Sequence, residues 1–206
     1  FAPTPHDVWD RYLDIYGIEG VFPVAETVIG RLSAIASEEI LYPEVARAHA
    51  IRGAEVFLHS TSEVASPNLT IKQIARRARA LENMAYVVSA NNAELRGISV
   101  PTDSTNGYSD IIDWNGNQMV VAAVGNSSVA TASLDLAGLR AHRRRPSMSN
   151  MLSRQALEMF AEPFAKADLR RRNGLLQDGK LMIPDRAYFQ QRQADAIARM
   201  VERGIL

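Results

Sequence analysis

The chain has 206 residues, with 23 basic side chains balanced by 23 acidic ones, and no cysteine. That balance provides no bulk field to draw nucleic acid or an anionic membrane, and without a thiol there is no disulfide, zinc–thiolate site or thiol nucleophile. A hydrophobic share of 47% supports one domain with a sizeable core, and no apolar run approaches the ~20 residues of a membrane span. No signal peptide is visible, so a cytoplasmic protein is the default expectation.

Taken in order, Phe1–Gly20 is aromatic and acidic and is broken by Pro3, Pro5 and Gly17; it is predicted as a loop with a short helix near Asp7–Tyr12. Phe22–Gly30 reads as a strand and turn feeding the apolar run Leu32–Ala36, a buried strand. That run stops at Ser37-Glu38-Glu39. A hydroxyl and two carboxylates thus stand at the carboxyl end of a buried strand, where open α/β sheets hold their ligands. Tyr42-Pro43-Glu44 restarts the chain as a helix, with Pro43 suited to its first turn and Gly53 to its end. Glu55–His59 forms the next strand, and Ser60, Thr61, Ser62 and Glu63 follow it as small polar groups able to line a pocket. This strand, turn and helix have the layout of a nucleophile elbow, although no G-x-S-x-G motif is present.

Ser66-Pro67-Asn68 is predicted to open a helix that runs to Met84, with Ser66 as N-cap and Pro67 in the first position. Leu69, Ile74, Ala78 and Leu81 form its apolar stripe, leaving Arg76, Arg77 and Arg79 largely off it, as a solvated face rather than the alternative of a phosphate patch. Tyr86–Ala90 is a further buried strand ending at Asn91-Asn92, whose amides suit loop backbone in preference to the alternative, a substrate. Ser109–Asp113 and Gln118–Val124 flank Asn115-Gly116, a hairpin signal. Val129–Leu136 reads as a strand ended by His142–Pro146, and Met151–Phe164 as an amphipathic helix with Leu152, Ala156, Met159 and Phe160 on one face. Residues 1–164 are assigned to one domain and 165–206 to a charged, partly helical tail.

The segment SEEILYPEVARAHAIRGAEVFLHSTSE resembles the nucleophile region of the nitrilase, or carbon–nitrogen hydrolase, superfamily. That family's pattern is a cysteine, an acidic residue two positions on, an aromatic-Pro-Glu, a helix ending in Gly-Ala and an apolar strand. The cysteine falls on Ser37, the acidic residue on Glu39 and the aromatic-Pro-Glu on Tyr42-Pro43-Glu44. The match continues through Asn91-Asn92, Gly107-Tyr108-Ser109 and the Asn115-Gly116 hairpin, spanning Phe22 to Pro146. The resemblance implies an α/β fold, part of a nitrilase-type α-β-β-α sandwich with mixed sheets and flanking helices, assembled as a homodimer or higher oligomer. It also implies a carboxy-terminal portion, with the family's catalytic glutamate and lysine upstream of Phe1. For the family's second glutamate, Asp7 or Glu19 is a candidate, against the plainer reading of a solvated loop carboxylate.

By the same resemblance, the activity is hydrolysis of a small amide, carbamoyl compound or nitrile through an acyl-enzyme, without metal or other cofactor. Ser37 is the nucleophile position, the Glu38 backbone N–H the oxyanion donor, and Glu39 a support of the elbow. A serine keeps the geometry but needs stronger base assistance than a thiol. Ser37 is therefore an engineered exchange, a natural serine nucleophile or the mark of a non-catalytic scaffold; the absence of every cysteine tilts towards the second. A Ser–His arrangement with His59, which closes the neighbouring strand, is the other mechanism, against a rim histidine satisfied by loop backbone.

Overall fold

A computed structural model describes residues 4–206. In chain order the elements are α1 (Trp9–Tyr16), β1 (Ala25–Thr27), β2 (Gly30–Ala36), α2 (Pro43–Ile51), β3 (Val56–Thr61), α3 (Ile71–Asn83), β4 (Tyr86–Asn91), β5 (Asp110–Ile112) and β6 (Gln118–Val121). They continue with α4 (Leu136–Arg144), α5 (Glu158–Ala167), β7 (Leu176–Gln177), β8 (Lys180–Leu181) and α6 (Arg186–Glu202). Phe22–Gln155 is one unit; residues 4–21 together with Ala156–Leu206 form another. The sequence boundary after residue 164 thus differs from the grouping by contact.

In the larger unit the six strands lie in sheet order β1 to β6, with β2, β3 and β4 parallel and the outer pairings antiparallel. Parallel neighbours need a crossover, and α2 and α3 supply the two here. Side chains alternate along each strand. Ile35, Phe57 and Val87 point to the helix side and pack with Ile40, Ala46, Ala50, Ala75 and Ala80. On the opposite face, Val56 and Tyr86 meet Leu139 of α4. Among the described residues this unit holds one sheet, with α2 and α3 on one face and α4 on the other.

Helix α4 is fastened to the strand starts by cations. Arg140 forms two hydrogen bonds to the buried Glu55 carboxylate, at 2.6 and 2.8 Å, and Arg143 donates to the carbonyls of Met84, Ala54 and Asn83. Glu55 also accepts the Arg31 backbone N–H at 3.0 Å. The Arg140 guanidinium holds the Glu55 carboxyl below its ordinary range. Gly30, at φ 115°, leaves room for this: a Cβ there would stand 2.6 Å from a Leu136 methyl and 3.1 Å from the Glu55 carboxylate. Gly30→Ala should therefore cost about 1–3 kcal/mol, read as a lower urea midpoint with an unchanged slope.

Two elements differ from the sequence reading. Helix α3 begins at Ile71 rather than near Ser66. Its N-cap is Thr70, whose hydroxyl accepts the Gln73 N–H while the Gln73 side chain accepts the Thr70 N–H. This reciprocal box outcompetes the Ser66-Pro67 signal, and Ser66 instead accepts the Asn68 N–H in a local turn. Val129–Leu136 is not a strand. Its residues alternate between half-buried and exposed from Ala130 to Leu136, but strand pairing needs a neighbour, and it has none among the described residues.

In the smaller unit, Asp7 is 0% exposed. Its carboxylate accepts the Thr4 N–H and hydroxyl, pairs with Arg192 of α6 at 2.7 Å and has Arg170 at 3.6 Å. The plainer reading of Asp7 as a solvated loop carboxylate is therefore corrected. The helix expected over Met151–Phe164 starts only at Glu158, and Leu152 packs in the larger unit's core. No helix among the described residues is long and apolar enough to cross a membrane.

Candidate active site at the end of the central strands

The carboxyl ends of β2, β3 and β4 share one rim, because parallel pairing sets Ala36 beside Ser60 and Thr61 beside Asn91. Ser37 is the first residue beyond β2. It adopts φ 42°, a left-handed conformation that a non-glycine residue holds at a cost of about 1 kcal/mol or more. The surroundings fix it. The Glu39 carboxylate accepts the Ala36 N–H at 2.7 Å, and His59 Nε2 meets the Ser37 carbonyl at 2.9 Å. Arg79 closes the far end of the same turn by donating to the carbonyls of Ile40 and Leu41, both at 3.0 Å.

The Ser37 side chain meets a residue that sequence reasoning missed. Lys72, on the first turn of α3 and 9% exposed, places Nζ 3.0 Å from Ser37 Oγ and 3.2 Å from Thr61 Oγ1. The missed signal lay in the choice of helix face. The buried stripe of α3 is Lys72, Ala75, Arg76, Arg79, Ala80 and Asn83, while Leu69, Ile71, Ile74 and Leu81 are exposed. Positions 72, 75, 76, 79, 80 and 83 repeat with helical spacing as faithfully as the apolar stripe does. Small alanines let the helix approach the sheet, and the long cations between them reach polar groups at the strand ends. The solvated-arginine reading is thus reversed for Arg76 and Arg79.

Arg76, with no exposure, is the hub of that layer. It donates to Ser89 Oγ at 3.1 Å and to Asp110 at 3.2 Å, and it stands 3.6 Å from Glu63. Gln118 also donates to Asp110 at 2.8 Å, and the Thr70 hydroxyl donates to Glu63. Burial raises the Asp110 pKa, with Arg76 opposing. The Ser37 carbonyl can only accept, so His59 Nε2 carries the proton, and Nδ1 of the neutral ring then accepts from Ser89 Oγ at 2.8 Å. Burial pushes the His59 pKa down to about 4, helped by the Arg76 and Lys72 charges and opposed by the carbonyl bond. His59 is therefore a neutral rim histidine occupied at both nitrogens, and it touches the Ser37 backbone rather than its hydroxyl.

The remaining sequence candidates divide by strand alternation. Thr61 and Glu63 are buried and join the Ser37–Lys72 layer, whereas Ser60 and Ser62 are exposed. Glu38 is exposed beside Ser37. Asn91 serves backbone, accepting the Glu63 N–H and donating to the Gly107 carbonyl. Next to Glu63 opens a cleft of about 160 Å³, walled by Thr70, Gln73, Asn91, Asn106 and Tyr108. Tyr108 is itself held at φ 63°.

A family model described as carbon–nitrogen hydrolase matches residues 2–144. The chain belongs to the carbon–nitrogen hydrolase family. A probable nitrilase of Schizosaccharomyces pombe is 36% identical over 70 residues, which is 34% of this chain and 25% of that protein. Among solved structures, a carbon–nitrogen hydrolase from Helicobacter pylori G27 aligns with a TM-score of 0.59 at 19% identity, over 70% of this chain and 52% of its own. A double mutant of the amidase from Nesterenkonia sp. AN1, in complex with acrylamide, aligns with a TM-score of 0.53 at 21% identity, over 68% and 47%. At such identities the structures establish the shared fold. This carbon–nitrogen hydrolase chain spans about half the length of those solved relatives and a quarter of the curated one. Its fold is the mixed α/β arrangement expected from the resemblance.

Proposed function

We propose that this chain carries the nucleophile of a hydrolase acting on a non-peptide carbon–nitrogen bond of a small amide, carbamoyl compound or nitrile, with Ser37 as that nucleophile. The observation that carries the reading is the Ser37 hydroxyl, lifted on a left-handed turn at the end of β2 and met by an amine at 3.0 Å. Oγ attacks the substrate carbon, the Glu38 N–H stabilises the developing oxyanion, and water releases the acid from the acyl-serine. Glu39 and His59 hold the turn. Thr61 and Glu63 border the substrate's polar end, and Ser60 and Ser62 flank its approach. A small amide is the ligand of the similar amidase structure, solved with acrylamide, and this supports the substrate class. By the family resemblance, an upstream glutamate and lysine complete the machinery, no cofactor is required, and the protein is a cytoplasmic homodimer or higher homo-oligomer.

The test is ammonia release from a panel of small amides and nitriles by the full-length protein, its Ser37→Cys form and its Ser37→Ala form. Activity in the serine form, lost in Ser37→Ala, is the expected result. Turnover by the cysteine form alone would mark an inactivated site. Silence in every form would leave the protein as a non-catalytic, nitrilase-like binding or scaffold protein.

A further inference from the structure

We infer that Lys72 is the proton carrier for Ser37, so that the two form a serine–lysine pair with Thr61 as its orienting hydroxyl; this rests on the reading of Ser37 as nucleophile. A serine hydroxyl is a weak nucleophile until a base takes its proton, and among the described residues the basic side chain bonded to the Ser37 hydroxyl is Lys72. His59 is occupied at both nitrogens and faces the Ser37 carbonyl. Glu39 is engaged by the Ala36 N–H, and Glu63 by Arg76 and Thr70. Lys72 makes the hydrogen bond to Ser37 Oγ itself.

Its setting is also unusual for a lysine with a structural role. Buried lysines ordinarily stand in ion pairs. Among the described residues Lys72 Nζ has hydroxyl partners only, Ser37 and Thr61, and forms no ion pair. Two hydroxyls fix the position of an amine without removing its capacity to give and take a proton. The helix start supports this. The Thr70–Gln73 box sets where α3 begins, and Arg76 and Arg79 anchor the next turns, so the Lys72 side chain leaves a rigid base towards the rim.

The steps balance without a further reactant. Nζ takes the Ser37 hydroxyl proton as Oγ bonds to the substrate carbon and the carbonyl π pair moves to oxygen. Collapse breaks the carbon–nitrogen bond, and the leaving nitrogen takes the proton from the Lys72 ammonium. Water then attacks the acyl-serine ester, giving its proton to Nζ, and Oγ recovers that proton as the ester bond breaks.

The experiment is acetylation of Ser37 by p-nitrophenyl acetate in the full-length protein, followed by mass spectrometry of the peptide that carries it. Lys72→Met should slow acetylation by at least about a hundredfold, the range of general-base assistance. Lys72→Arg keeps the length and the cation but cannot take up a proton, and it should be as slow as Lys72→Met while melting at the wild-type temperature. In a Ser37→Cys background the Lys72→Met change should cost less than about tenfold, because a thiol ionises without that help. Wild-type rates in Lys72→Arg, with Ser37→Ala unlabelled, would overturn the role of Lys72 and leave Ser37 as the nucleophile. No labelling of Ser37 in the wild-type protein would overturn both.

Discussion

Replacing Arg76 with methionine should destabilise the Phe22–Gln155 unit by about 3–5 kcal/mol, the range for removing one partner of a buried ion pair. The guanidinium is fully buried, Asp110 is nearly so, and Glu63 has little exposure. Methionine fills much of the same volume, so the loss is electrical rather than steric. Two carboxylates would remain in a low-dielectric layer with only Gln118 and Thr70 as donors. The penalty also acquires a pH dependence. Burial already raises the Asp110 pKa against the pull of Arg76, so removing Arg76 raises it further. A carboxyl whose folded pKa lies above its unfolded one binds more protons when folded, and its contribution is lost as pH rises. The Arg76→Met deficit should therefore be larger at pH 8 than at pH 5, as measured by urea unfolding. Adding Asp110→Asn should recover part of it. A deficit below about 1 kcal/mol at pH 8 would show that solvent reaches this layer.

Arg76 also shows where the sequence was legible and where it was not. Strands β2, β3 and β4 are apolar runs bounded by breakers, and the Asn115-Gly116 hairpin carries its own turn chemistry, so these elements could be read locally. The elbow was readable for the same reason: an apolar strand that stops at Ser37 must place it at the rim. The orientation of α3 was not. Two stripes share that helix, and the apolar one is exposed here, because whether a guanidinium can be buried depends on Asp110, Ser89 and the Ile40 carbonyl, all supplied from distant sequence. Lys72 is likewise 35 positions from Ser37, with no motif linking the two. Thr70 and Gln73 did carry a readable cap signature, but Ser66-Pro67 offered a rival a few residues earlier. Val129–Leu136 has the periodicity of a strand, and periodicity reports faces rather than partners.

Lowering the pH from 7.5 to 4 should remove about 3 kcal/mol of stability through His59 alone. In the folded protein its pKa is near 4, mainly because burial penalises the imidazolium, whereas in the unfolded chain it returns to about 6.5. Between those values the unfolded chain holds the extra proton, so stability falls as pH falls, by about 1.4 kcal/mol per unit. His49, also lowered by burial, adds in the same direction. Asp110 opposes at the acid end, and Glu55, held low by Arg140, withdraws its contribution only as pH falls below its ordinary range. His59→Gln isolates the term: urea midpoints from pH 6.5 to 4.5 should fall less steeply in the variant, and equal slopes would mean that His59 is not held neutral. The consequence reaches the site, because the proton that burial excludes would arrive at Nδ1, where the Ser89 hydroxyl now donates. Ser89 would have to turn its proton away, and the imidazolium would then share one layer with the Arg76 guanidinium. The Nε2–H bond to the Ser37 carbonyl survives protonation and favours the imidazolium, so the Ser89 side of the ring should rearrange in acid before the turn that presents Ser37 does.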